Sequence, residues 1–229
     1  MKKYKLILLD ADGTLFDFET SEHQSFKKAF EMFNLVYTDE LFALYKKINA
    51  KLWSDFEKGL ISTEDIKSNR FKSLVKDAEL NVDDVELKNA YTENLSNSTL
   101  LLDGAESMLK NLSGKAKLSI LTNGLTTIQR RRFGVSPIRQ FIHSIIISEE
   151  VGYQKPHSEI FKIALRENNH SDKHDVLIIG DSLSSDIKGG YDFGIDTCWY
   201  NPKQNKNQFE IIPTFEVNHL DEISNIINN

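Results

Sequence analysis

Residues 5–17 read KLILLDADGTLFD. The apolar run Leu6-Ile7-Leu8-Leu9 breaks off at Asp10, and a second carboxylate, Asp12, stands two residues further on. An unbroken apolar tetrapeptide lacks the alternation of a half-exposed strand, so it reads as a strand buried on both faces, the signature of a parallel sheet. Burying charge beside such a strand is expensive. Two acids are tolerable there only if the strand ends in a crevice and not in the core.

The pattern recurs along the chain. Leu118–Leu121, Ile145–Ile147 and Val176–Ile179 are further short apolar runs, and Thr197–Tyr200 is a weaker one. Helical patterns fall between most of them: DGAESMLKNL at 103–112, TTIQRRRF at 126–133, SEIFKIALRENN at 158–169 and SSDIKGGYDFG at 184–194. Strands alternating with helices predict an α/β fold, a doubly wound parallel sheet covered on both faces. The gap after the first strand differs. Residues 18–97 carry no strand signal, but apolar side chains recur there at helical spacing: Phe26, Ala29, Phe30 and Phe33, then Leu41, Leu44, Tyr45, Ile48 and Leu52, then Ile66, Phe71, Leu74 and Val75. About eighty residues is far more than a crossover needs, since a whole unit is nearer thirty. The expected organisation is therefore a core made of 1–17 and 98–229, with an inserted all-helical domain over 18–97 above the end of the first strand, where a lid belongs.

The 229 residues carry a net charge of −6, with 40% hydrophobic and 27% charged residues, and the acids are dispersed. No basic face argues for a nucleic-acid polymer as partner, while a small anion remains compatible with a local site. Cys198 is the single cysteine, so no internal disulfide is expected and a reducing cytoplasm fits. No apolar run approaches the ~18–20 residues of a membrane span, and no signal-peptide core is visible at the start. A monomer or small homo-oligomer is expected.

Ligands of open parallel sheets bind outside the carboxyl ends of the strands. Past the ends of successive strands stand Asp10 and Asp12, then Thr122-Asn123-Gly124, then Lys155, then Asp181 and Asp186 in GDSLSSD. Each fragment alone is ordinary: a solvated DxD, a turn, a surface lysine, a helix cap. Their shared placement at the ends of one sheet's strands makes them a candidate site. Several carboxylates around one lysine raise each other's pKa unless a cation joins them. The donors are all oxygens, and the six histidines follow no metal-ligand spacing, which suits Mg²⁺. Thr122 offers a hydroxyl, Asn123 and Gly124 offer amides near a helix start, and Gly13 permits close backbone approach.

These segments resemble the four motifs of the haloacid dehalogenase-like superfamily: DADGT at 10–14 the first, Thr122 the second, Lys155 the third and GDSLSSD at 180–186 the fourth. The insert resembles that superfamily's helical cap. The resemblance implies an aspartyl-phosphate mechanism with Asp10 as nucleophile and Asp12 as general acid and base. It implies Asp10, Asp181 and the backbone carbonyl of Asp12 as Mg²⁺ ligands, with Asp186 behind them orienting water or Lys155. Thr122 and Lys155 then hold the phosphoryl oxygens. The presence of Asp12 argues against haloacid dehalogenation, which has no need of that acid.

A narrower resemblance, carried by LDADGTLFDF (9–18), LWSDFEKGLIS (52–62), LTNGLTTIQ (121–129), ISEEVGYQKPHSEIF (147–161) and CWYN (198–201), is to pyrimidine 5′-nucleotidases of the YjjG type. It implies phosphate release from nucleoside monophosphates such as dUMP, dTMP and UMP. The alternatives are another small-metabolite phosphatase, acting on a sugar phosphate, or a phosphomutase of the β-phosphoglucomutase kind. If the leaving group is a nucleoside, Trp53 is the first candidate to stack on the base, with Phe16 and Phe18 beside the mouth of the site. Arg130-Arg131-Arg132 reads as an exposed helical face.

Overall fold

The computed structural model describes residues 3–228. Its centre is a six-stranded, all-parallel sheet in the order β3-β2-β1-β4-β5-β6. The strands are β1 (Leu6–Leu9), β2 (Lys117–Thr122), β3 (Ser144–Ile147), β4 (Val176–Gly180), β5 (Asp196–Tyr200) and β6 (Phe215–Val217). The four residues of β1 are fully buried, as an apolar run without alternation requires. Ile7 and Leu9 point to one face, where Met108 and Leu109 of α5 (Ala105–Leu112) join them. Leu6 and Leu8 point to the other, against Ile160, Phe161 and Ala164 of α8 (Ser158–Glu167). The sheet is thus covered on both sides, the doubly wound arrangement expected. β6, three residues in a polar stretch, was not among the expected strands; it extends the edge beside β5, and α10 (Leu220–Asn228) comes after it.

The register aligns the strand ends. Leu9 stands opposite Ile120 of β2 and Ile179 of β4, so the residues just beyond these three strands emerge along one edge.

Four helices lie between β1 and α5: α1 (Phe18–Met32), α2 (Asp39–Glu57), α3 (Thr63–Asp77) and α4 (Asp84–Asn97). Their starts are set locally. Asp17, Thr38, Ser62 and Asp83 each accept a backbone N–H of the first turn, and Ser62 with Asp65 forms a reciprocal capping box. Phe26, Phe30, Tyr45, Phe71, Leu74 and Tyr91 form the middle of a separate apolar cluster, sealed by Leu125 and by Ile128 of α6 (Thr126–Val135). The chain enters and leaves this helical layer side by side. Asp17 N–H donates to the Leu100 carbonyl at 3.0 Å, Leu102 N–H donates to the Leu15 carbonyl at 2.9 Å, and Phe16 bridges Leu101 in antiparallel fashion. Among the described residues no helix is long and apolar enough to cross a membrane.

Candidate active site

Asp10 is the first residue past the central strand, and its N–H still donates to Ile179 O at 2.9 Å, continuing the ladder. The side chain stands at the carboxyl end of the sheet with 8% of the residue exposed. Lys155, only 1% exposed, comes to it from the loop before α8. Its ammonium donates at 2.6 Å each to Asp10 Oδ1, Asp186 Oδ1 and Leu121 O. Three acceptors use all three protons of the ammonium. Burial works against that charge, but Asp10 and Asp186 outweigh it and hold the lysine protonated well above its ordinary range. The lysine is itself positioned by Asn123, whose amide accepts Lys155 N–H at 2.8 Å and donates to Lys155 O at 2.9 Å.

Asp10, Asp181 and Asp186 form a cluster whose ligand oxygens lie within 4.8 Å of one another. Burial pushes the Asp10 carboxyl well up, Lys155 opposes that, and Asp186 and Asp181 add to it. Asp181 is open to solvent along the cleft. Desolvation of its carboxyl, reinforced by the charge of Asp186, pushes the group up to about 7. One lysine therefore does not balance three acids. The donors are carboxylates, with no histidine or cysteine among them, which fits a hard divalent cation such as Mg²⁺. Asp186 has protein partners on both oxygens, Lys155 on one and Ser182 N–H at 3.1 Å on the other. Asp181 accepts the Thr14 hydroxyl at 3.3 Å. Gly13, at φ +86°, approaches so closely that a Cβ there would lie 2.6 Å from Asp181 Oδ2. Thr122, at the end of β2, is buried and its hydroxyl accepts Gly124 N–H at 3.0 Å.

The structure corrects two expectations. Phe16 does not border the mouth: it is fully buried, with its ring 5.0 Å from that of Phe133. Arg132 is not on an exposed face either. It is fully buried, ion-paired to Asp12 Oδ1, hydrogen-bonded through Nε to the Ser98 carbonyl at 3.0 Å, and centred 4.1 Å over the Phe16 ring. Gln129 donates to the other Asp12 oxygen at 2.5 Å. The Asp12 carboxylate is thus gripped on both oxygens by α6. A run of three arginines hides this inward member, but Gln129, Arg132 and Phe133 share i, i+3, i+4 spacing and one helix face; the phenylalanine marks which way it points. Arg130 does lie outside, paired with Glu150.

Asp10, Asp12, Thr122, Asn123, Gly124, Lys155, Asp181 and Asp186 border one cavity of about 260 Å³. The helical layer closes it with Phe18, Asn49, Trp53, Glu57, Arg70 and Leu95. Asn49, Glu57 and Arg70 were not foreseen. Burial raises the Glu57 carboxyl, and Ser184 Oγ donates to it across the cleft at 3.4 Å.

The haloacid dehalogenase-like hydrolase family profile matches residues 7–200. The HAD-hydrolase YfnB of Bacillus subtilis is 38% identical over 228 residues, covering 100% of this chain and 97% of that one. Its magnesium-bound crystal structure superposes with a TM-score of 0.91 at 37% identity, covering 100% of both chains. The pyrimidine 5′-nucleotidase YjjG of Escherichia coli is 34% identical, covering 98% of each chain. The pyrimidine 5′-nucleotidase PynA of Streptococcus pneumoniae is 32% identical, covering 93% of this chain and 91% of that one. Fold, matched motifs and full-length similarity agree: the chain belongs to the haloacid dehalogenase-like hydrolases.

Proposed function

We propose that the protein is a Mg²⁺-dependent phosphomonoester hydrolase working through an aspartyl-phosphate, and that its substrates are pyrimidine nucleoside 5′-monophosphates of the dUMP, dTMP and UMP type. The observation that carries the chemistry is the position of Asp10: a lysine-held carboxylate at the end of the central strand, facing the cleft beneath the helical layer and flanked by two further acids. The substrate class rests on the similarity to YjjG and PynA, both pyrimidine 5′-nucleotidases.

In the first transfer Asp10 attacks phosphorus, and the bond from phosphorus to the leaving oxygen breaks as Asp12 gives that oxygen a proton. In the second, Asp12 takes a proton from water while the water oxygen attacks phosphorus, the bond to Asp10 breaks, and inorganic phosphate leaves with the carboxylate restored. Thr122, through its hydroxyl proton, and the Asn123 backbone N–H hold the phosphoryl oxygens through both steps, while Lys155 fixes Asp10 and supplies positive charge beside them. Asp10, Asp181 and the Asp12 carbonyl would hold the Mg²⁺, with Asp186 holding Lys155, and the ion would offset the charge of the acids and the phosphoryl group. Gly13 leaves room for Asp181. Residues 18–97 act as a cap that excludes water during the first transfer, in keeping with the interdomain movement described for magnesium-bound YfnB. The single buried cysteine, Cys198, suits a cytoplasmic enzyme.

Phosphate release across a panel of nucleoside monophosphates and sugar phosphates, with and without Mg²⁺, tests this reading. Release from dUMP, dTMP and UMP that requires Mg²⁺ and no bisphosphate activator supports it. Release confined to sugar phosphates returns the chain to the other phosphatases, and dependence on a bisphosphate points to a mutase.

A further inference from the structure

The inward faces of three helices in the insertion each contribute a buried polar residue to one network. On α1 it is Glu22, ahead of Phe26; on α2 it is Asn49, between Tyr45 and Trp53; on α3 it is Arg70, between Ile66 and Leu74. These positions normally carry apolar side chains, and the three residues are only 5%, 7% and 3% exposed. They touch in series. Asn49 Nδ2 donates to Glu22 Oε1 at 2.9 Å, which turns Asn49 Oδ1 towards Arg70, whose Nη1 donates to it at 3.2 Å.

Arg70 is left with donors to give. Of its five N–H bonds, one meets Asn49, and the Tyr45 hydroxyl lies close enough to support the charge. Its Nε is buried without a partner, and no ion pair to a carboxylate forms among the described residues. The ring centroids of Phe71 and Tyr91 lie 5.5 and 5.1 Å from the guanidinium carbon. A buried cation with unfilled donors is costly, and one that borders the same cavity as Asp10 is placed to have them filled by what enters. Phe18, Trp53 and Leu95 line the same cavity. A leaving group that suits those walls is flat and apolar-faced, with an acceptor at its edge. A polyhydroxylated sugar sets hydroxyls against them instead.

Building on the nucleotide reading above, we infer that Arg70, oriented by Asn49 and behind it Glu22, is the specificity-determining residue that donates to a keto oxygen of the substrate's base. The phosphoryl group then lies at Asp10 and Lys155, and the base reaches Arg70 between Phe18 and Trp53.

The test compares dUMP with 2-deoxyribose 5-phosphate, which keeps the phosphoryl group and the sugar but has no base, on the Mg²⁺-loaded wild type and on Arg70→Met. The variant is expected to lose roughly 10- to 100-fold in kcat/KM on dUMP, the scale of one hydrogen bond to a charged group, mostly through KM. Its activity on 2-deoxyribose 5-phosphate is expected to stay at the wild-type level. Equal losses on both substrates, or no loss on dUMP, overturn the inference. So does a wild-type preference for a small carboxylated phosphate ester over dUMP, because that assigns Arg70 to a carboxylate. If the wild type does not hydrolyse dUMP at all, the nucleotide reading itself falls; if it does and only the Arg70→Met comparison fails, this inference falls alone. Should Arg70→Met not fold, the wild type decides. Replacing the thymine of dTMP by its difluorotoluene isostere, which lacks the keto oxygens, is expected to cost a similar factor, and equal turnover of the two overturns the inference.

Discussion

The two walls of the cavity carry opposite imbalances. On the sheet side, Asp10, Asp181 and Asp186 crowd together and Lys155 alone answers them, with each of its protons already placed. On the helical side, Arg70 lies buried with an amide and a phenol for company, and the nearest acid of its network, Glu22, is held up by burial, which the Arg70 charge only partly opposes. On the sheet side burial holds the acids up; on the helical side it works against the Arg70 charge, which Tyr45, Tyr91 and Glu22 support while Nε stays without a partner. Together the two walls suit the proposed substrate, with a cation answering the sheet side and an electron-rich acceptor answering the helical side. Residual charge in a protein interior is informative because folding disfavours it.

The comparison breaks most readily at Asp10. Asp10→Asn is expected to lower turnover by roughly 10⁴-fold or more, the scale for loss of a covalent nucleophile, while removing a buried negative charge and so leaving the melting temperature equal or higher. Substantial residual turnover removes Asp10 from its role. Lys155→Met attacks the same wall from the other side. It leaves Asp10 and Asp186 facing each other uncompensated, at a cost of about 3–5 kcal/mol in stability, measurable by denaturant melts. Adding Mg²⁺ is expected to recover part of that loss, because a cation then answers the acids.

Arg132 sharpens the comparison at the seam between the walls, where it joins Asp12 to the Ser98 carbonyl. Arg132→Gln is expected to lower kcat by about 10²-fold on an alkyl phosphate, the lower end of what a general acid contributes. An aryl phosphate, whose leaving group needs no proton, is expected to lose much less; an equal loss on both indicates a merely structural arginine.

Residues on the two walls differ in how far the sequence exposes them. β1 is visible because four consecutive apolar residues need no partner to declare themselves, Asp10 and Asp181 are found by looking just past a strand, and Lys155 by reading on into the loop before α8. Chain order and strand ends are one-dimensional properties. Burial of Arg132 and Arg70 is not, since it depends on a neighbouring face that the sequence does not display, and arginine is ordinarily a surface residue. Phe16, expected beside the mouth, is instead fully buried with its ring against Phe133, a packing set by a helix far away in sequence. β6 was missed because three residues among polar neighbours carry too little periodicity to register.

The smallest expected effect concerns Glu22. Burial raises its carboxyl above the ordinary value of 4.5, only partly opposed by Arg70. A carboxyl raised in the folded state contributes stability that is complete below the ordinary value and is lost as pH rises through the raised one. Glu22→Gln keeps an oxygen acceptor for Asn49 and removes that loss. Thermal melts are expected to show the variant gaining on the wild type as pH increases above the ordinary glutamate range. A variant that loses ground with rising pH shows instead that the ionised carboxylate is needed beside Arg70.

The central claim is that phosphorus is bonded to Asp10 between two displacements. The stereochemical course of hydrolysis tests it directly, using a substrate whose phosphoryl group is made chiral with oxygen isotopes. Two successive in-line displacements, first by Asp10 and then by water, predict net retention of configuration at phosphorus. Net inversion means that water attacks the substrate directly, and it contradicts the account.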